Sequence, residues 1–127
     1  MNVVVAFCIF ILFNFSGSSL TSYSGEGGPA TSAGFWSPIG VCRDTTGNMY
    51  ITTVTDMRAY KVDTAGKITT FAGTGSFGAT GDGGQATSAK FFAMRNCVID
   101  SSANVYITEY SGYAVRVVTV ATKIITS

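Results

Sequence analysis

The chain has 127 residues, the length of one modest domain, with 8 Lys+Arg against 7 Asp+Glu, no His and a formal net charge of +1. Near-neutrality without a basic run argues against nucleic acid or any other partner held mainly by charge. The lack of His removes the imidazole base and the His ligand of zinc sites.

The hydrophobic fraction of 46% is high for a soluble domain, and much of the excess sits at the N-terminus. Val3 to Phe13 is an unbroken apolar run, shorter than the roughly 20 residues a membrane span takes. It suits the core of a signal peptide, and Ser16-Gly17-Ser18 supplies small residues for cleavage, although no Lys or Arg precedes the run. Residues 1–18 are therefore expected to be a signal peptide, the mature chain secreted or extracellular and without a stable membrane span. Cys8 and the glycosylation sequon at Asn14 would leave with it.

Beyond the leader the chain repeats itself. Residues 25–35 read GEGGPATSAGF and residues 81–91 read GDGGQATSAKF, an offset of 81 − 25 = 56. At that offset Asp44 falls on Asp100, Asn48 on Asn104, and Tyr50-Ile51-Thr52 on Tyr106-Ile107-Thr108. Val62/Val118, Lys67/Lys123, Ile68/Ile124 and Thr70/Thr126 continue the match without a gap. A fixed period of this size marks a repeat architecture. Upstream, Phe15 and Gly17 fall on Phe71 and Gly73, so a second reading of Leu12–Gly17 is the last strand of a preceding unit.

Within the first unit, residues 24–72, the predicted strands are Val41–Asp44, Met49–Thr53, Ala59–Asp63 and Ile68–Ala72, rich in β-branched and aromatic residues and parted by tight turns. Gly47 supplies positive φ in the first turn, and Asp44 accepts hydrogen bonds from the turn's own amides. Residues 73–92 form a Gly-rich inter-blade loop, long for a plain connection. In it Gly81, Gly83 and Gly84, like Gly25, Gly27 and Gly28 before them, break the chain. Ala30–Phe35 and Ala86–Phe91 then make one helical turn each, with Phe35 and Phe91 as apolar anchors and Trp36 a further anchor. The second unit, residues 93–127, is predicted to have strands at Cys97–Asp100, Val105–Glu109, Ala114–Val118 and Ile124–Thr126. It reads as incomplete or degenerate, because Gly47 becomes Ala103, Pro38 becomes Met94 and Gly40 becomes Asn96. Asn at that last position is the gentler change, since Asn tolerates the left-handed region.

Cys42 and Cys97 are not equivalent in the repeat: Cys42 aligns with Val98 and Cys97 with Val41. The one-residue shift puts them on opposite faces of equivalent strands, where two units stacked face to face could bring them together. Two small buried apolar residues is the simpler reading, and it is the one expected.

For chemistry the supply is poor. GEGG and GDGG carry a carboxylate inside the loop and lack the Lys and Ser/Thr of a phosphate loop. Glu26 and Asp82 are one carboxylate per loop, thin for calcium's 6–8 oxygens, so turn chemistry is the expected role. A nucleophilic Cys would lack a His partner. No catalytic, cofactor-binding or metal-ligating residue is assigned. Tyr50 and Tyr106 read as packing residues, and Tyr60, Tyr110 and Tyr113 as exposed residues able to face a partner.

The order GEGGPATSAGFWSPIGVCRDTTGNMYIT, then RAYKVDTAGKITTFAGTG, resembles the NHL repeat, over about residues 24–127. The resemblance implies an all-β fold, a partial β-propeller of two four-stranded antiparallel blades out of a typical six, behind a hydrophobic N-terminal segment. It implies a non-catalytic binding module for a protein or glycan ligand, without cofactor. The alternative is a piece of an extracellular propeller enzyme, hydrolase or lyase, whose catalytic residues lie in missing blades. Repeat units do not bury their faces alone, so the chain reads as a fragment of a larger propeller, with self-association to complete a ring as the alternative.

Overall fold

A computed structural model describes residues 23–127; the expected signal peptide, Cys8, Asn14 and the alternative strand at Leu12–Gly17 lie outside them. Eight strands form two sheets in chain order: β1 (Pro38–Arg43), β2 (Met49–Thr53), β3 (Ala59–Val62) and β4 (Ile68–Ala72), then β5 (Met94–Ile99), β6 (Val105–Glu109), β7 (Ala114–Thr119) and β8 (Ile124–Thr126). Each sheet is a four-stranded antiparallel meander, so the fold is all-β, two propeller-type blades with no closed barrel. The second sheet has all four strands despite its weaker match to the motif. β1 and β5 begin three residues earlier than the period-2 pattern indicates, at Pro38 and Met94. Register irregularities follow these starts, and a bulge of that kind breaks the alternation on which a strand is recognised. Among the described residues no helix is long and apolar enough to cross a membrane.

The sheets stack face to back. Call the front face of each sheet the one carrying Ile51 or Ile107, and the back face the one carrying Tyr50 or Tyr106. The front of the first sheet packs Met49, Ile51, Tyr60, Val62 and Ile68 under Ala30 and Phe35 of the preceding loop. The front of the second packs Val105, Ile107, Val118 and Ile125 under Ala86 and Phe91, and there meets Tyr50, Ala59 and Phe71 from the back of the first. The two faces of a strand are thus both used, which period 2 permits.

Cys42 and Cys97 are joined by a disulfide across this interface, with Cα atoms 5.7 Å apart. This corrects the reading of two buried thiols: Cys42 points from the back of one sheet and Cys97 from the front of the next. Gly40 stands beside the bridge. A Cβ there would lie 2.7 Å from the Arg95 carbonyl oxygen and 2.8 Å from the Asn96 Cα. The Gly40/Asn96 difference is therefore a matter of close approach between β1 and β5, not of left-handed backbone.

The repeated eleven residues close sheet edges. The Gly27 amide donates to the Ile68 carbonyl and the Ile68 amide to the Gly28 carbonyl; Gly83, Gly84 and Ile125 repeat the exchange. An outer strand would otherwise present unpaired backbone to solvent, a template for aggregation. The predicted helical turns are short 3-10 turns at Ala30–Ser32 and Ala86–Ser88, and Phe35 and Phe91 are buried as anchors.

These contacts also expose a slip in the repeat. Val62 pairs with Ile68, but Val118 pairs with Ile125. The last hairpin is one residue longer, so the structural counterparts are Ile68/Ile125 and Thr70/Ser127 rather than Ile68/Ile124 and Thr70/Thr126. Lys123, at φ 58, occupies the left-handed position that Gly66 fills at φ 80. A single inserted residue in a short hairpin leaves chance identities on either side, which a gapless alignment counts as matches.

Candidate functional site

The motif residues fall at one end of the sheets, and there they build turns. Asp44 Oδ1 accepts from the Thr46 amide at 3.0 Å, the Thr46 hydroxyl at 2.8 Å and the Asn48 amide at 2.9 Å. Its Oδ2 accepts from Asn48 Nδ2 at 2.7 Å and the Tyr50 hydroxyl at 3.3 Å. Burial opposes the charge on Asp44, but these donors outweigh it and hold the carboxyl at about 2. Burial, with the Asp44 carboxylate beside it, pushes the Tyr50 hydroxyl up to about 12. Asp100, Asn104 and Tyr106 repeat the arrangement, with Ser102 in place of Thr46 as amide donor. The Asp–Asn–Tyr motif thus ties a β1–β2 type turn to its own strand, with both oxygens of the Asp carboxylate engaged by protein donors. Ala103 keeps φ 64 where Gly47 has φ 103.

Glu26 and Asp82 are tied down by protein donors as well. Glu26 accepts from the Thr70 amide at 2.9 Å and the Thr70 hydroxyl at 2.8 Å. Partial burial opposes its charge, and the Thr70 donors nevertheless hold it below the ordinary carboxylate value. Asp82 accepts from the Ser127 amide at 3.1 Å and from Arg116 Nη2 at 2.6 Å. Hydrogen bonding from Ser127 foremost, with help from the Arg116 guanidinium, lowers its carboxyl. Both carboxylates seat the Gly-rich segment on the fourth strand, a longer-range task than a turn cap. No group of three or more His, Cys, Asp or Glu able to hold a metal occurs among the described residues.

The opposite end of the sheets is different in kind. It collects the entry to β1, the β2–β3 and β6–β7 loops and the connection from β4 to β5. Trp36, Phe77, Tyr110 and Tyr113 are all exposed there. The Phe77 and Phe92 rings meet edge to face with centroids 4.7 Å apart. A Cβ on Gly112 would lie 2.5 Å from Phe92 Cδ2, which fixes Phe92 under the Tyr110–Tyr113 loop. The Arg95 guanidinium lies 4.5 Å from the centre of the Tyr110 ring, within cation–π range. The Tyr110 amide donates to the Ala93 carbonyl. On the first sheet Arg58 reaches Asp56 at 3.1 Å and the Thr74 carbonyl at 2.7 Å, and the Thr55 hydroxyl donates to the Trp36 carbonyl.

Left-handed non-glycine residues occur at this end as they do at Ala103 and Lys123 in the turns of the other. Met57 and Tyr113, equivalent loop-tip residues, sit at φ 50 and φ 49. A non-glycine residue held there costs of order 1 kcal/mol. At Tyr113 that backbone carries a ring 95% exposed to solvent.

Two expectations are corrected at these positions. Tyr60 is 0% exposed: it lies on the front face, stacked on Tyr23 and hydrogen-bonded to Asp56, with burial first and Asp56 second driving its hydroxyl pKa upward. Trp36 is 43% exposed and not a buried anchor. Phe35 before it takes that role, because successive residues of an extended segment face opposite ways. Phe77 and Arg95 were not anticipated as surface contacts. A signal for them existed, since Phe77, Tyr110 and Tyr113 stand where the repeat offset places Thr21, Val54 and Met57. Large rings that break a repeat are not required by its packing.

An ionic cluster centred on the buried Arg116 underlies the second sheet, with Glu109 buried and Asp82 half exposed. Arg116, the counterpart of Tyr60, is 2% exposed, donates to the Lys90 and Thr80 carbonyls and to Asp82, and lies 4.0 Å from Glu109. Burial raises the Glu109 carboxyl, against the Phe92 amide and Arg116, which favour its charge. This cluster pins the inter-blade loop to β6 and β7.

Compared with known protein families and with curated proteins, the chain matches none.

Proposed function

We propose that this chain is a non-catalytic binding module of NHL-type β-propeller architecture, acting outside the cell. The observation that carries the reading is the aromatic end: Trp36, Phe77, Tyr110 and Tyr113 are each exposed on its loops, with Arg95 on Tyr110. Trp, Tyr and Arg dominate the energetics of protein interfaces because they bury large area at low conformational cost. Two stacked, sequence-related sheets with edge-covering loops support the propeller repeat. The inter-sheet disulfide supports an oxidising compartment, in keeping with the apolar leader at residues 1–18.

The ligand class this end fits is a protein segment, with a glycan that stacks on the same rings as the other candidate. The test is binding of the purified chain to peptide and glycan arrays, alongside Tyr110→Ala/Tyr113→Ala. Hits that weaken at least tenfold in the variant, at an unchanged unfolding midpoint, are the expected result. Hits that the variant retains in full, or an array with none, would count against this end as the binding surface.

A further inference from the structure

The contact between the two sheets is made by the back of the first and the front of the second. The chain carries one more copy of each face. The front of the first sheet shows Val41 at 45% exposure, although its counterpart Cys97 is 3% exposed inside the interface. The back of the second sheet shows Val98 at 60%, although its counterpart Cys42 is half-buried and bonded to Cys97. Val115 is likewise exposed where its counterpart Ala59 is buried, and Ile39 is exposed at the edge of the front face. The pairing of strands at these positions is the same in both sheets, Val41 with Ile51 and Cys97 with Ile107, Cys42 with Tyr50 and Val98 with Tyr106. Among the described residues, Val41 on the front of the first sheet and Val98 and Val115 on the back of the second are therefore exposed apolar side chains at positions whose counterparts lie in the interface within the chain, while the rest of that front is covered by Ala30 and Phe35.

We infer that a second copy of this chain covers them, head to tail, with Val98 of one copy set against Val41 of the next as Cys42 is set against Cys97. The argument rests on the internal interface as a template and stands apart from the aromatic end. Two surfaces related by the same step as an interface already formed share its strand geometry, and a head-to-tail contact of this kind closes into a ring or runs on as a filament. Propellers close at roughly four to eight blades, which is two to four copies of a two-sheet chain. One position tempers the contact. Asn96 stands at the back face where Gly40 admits close approach within the chain, and its side chain would press on the partner copy's backbone. The contact between copies is therefore looser than the one within the chain, and replacing Asn96 by Gly tightens it.

The experiment mixes two single variants of the full chain, Val41→Cys and Val98→Cys, in an oxidising buffer at high protein concentration, followed by peptide mapping without reduction. Mapping also checks that the Cys42–Cys97 bridge stays intact in each variant, so that misfolding is not mistaken for absence of contact. The expected product is a linkage between residue 41 of one copy and residue 98 of another, in several-fold excess over 41–41 and 98–98 linkages. Adding Asn96→Gly to both variants raises its yield several-fold, and light scattering of the unmodified chain gives a mass that grows with concentration. Symmetric linkages only, or no linkage from a chain that scatters as a monomer at every concentration, would overturn the inference and leave the faces to a different partner.

Discussion

Removing the inter-sheet disulfide is the sharpest test of how the two sheets are held. The bridge joins residues separated by 55 positions, and in the chain-entropy account a closed loop of that size restricts the unfolded state by about 4 kcal/mol at 25 °C. Domains of this length are stable by only about 5–15 kcal/mol in total, so Cys42→Ala/Cys97→Ala is expected to lose a large share of the folding free energy. The remaining interface still contains Tyr50, Phe71, Ile107 and Val118, so a folded state persists. Urea unfolding followed by far-ultraviolet circular dichroism measures the effect. With a slope of about 2 kcal/mol per molar, the midpoint falls by about 2 M, and the slope itself rises because the unfolded chain is freer to expand. A loss under about 1 kcal/mol would refute the reasoning: either the bridge does not form, or the unfolded chain keeps the contact the bridge enforces. A transition that splits in two would show that the bridge, rather than packing, makes the sheets one cooperative unit.

Other expectations follow from single positions. The Asp44 carboxyl titrates at about 2 in the folded chain against an ordinary 3.8, so its stabilisation is complete above pH 4 and is lost as pH falls through 2. At 1.36 kcal/mol per unit this is about 2 kcal/mol, and Asp44→Asn should flatten that part of the acid-stability curve; an unchanged curve would mean that other carboxylates set it. Gly40→Ala places a Cβ against the Arg95 and Asn96 backbone and should cost about 2 kcal/mol by forcing β1 from β5, measured by thermal unfolding; a neutral result would contradict the close approach. Ala103→Gly relieves a left-handed alanine and should raise stability by about 0.5–1 kcal/mol, read as a higher urea midpoint.

Much of this fold was legible in the chain itself. The 56-residue offset, the Asp–Asn–Tyr turns and the alternation in β2 and β6 are local patterns, and β2, β4, β6 and β8 lie where those patterns place them. Asp44 needed only the amides of its own turn, so its part in that turn followed from spacing, while the bonds from the Asn48 side chain and the Tyr50 hydroxyl did not. What local pattern does not carry is which face of one sheet meets which face of another. That choice decided the fate of Cys42 and Cys97, which are 55 positions apart, and explained Gly40 by a neighbour on β5 rather than by its own backbone. It also decided exposure at the aromatic positions. Tyr60 and Trp36 look alike as aromatics beside turns, yet Tyr60 faces the covered front of its sheet and Trp36 faces outward. The extra residue before Ile125 became visible only through strand pairing, since hydrogen bonds fix register and identity along a gapless alignment does not. Short-range chemistry thus sufficed for strands and turns, while stacking, set by contacts between residues far apart in sequence, determined the disulfide, the exposed aromatic end and the exposure of Val41 and Val98.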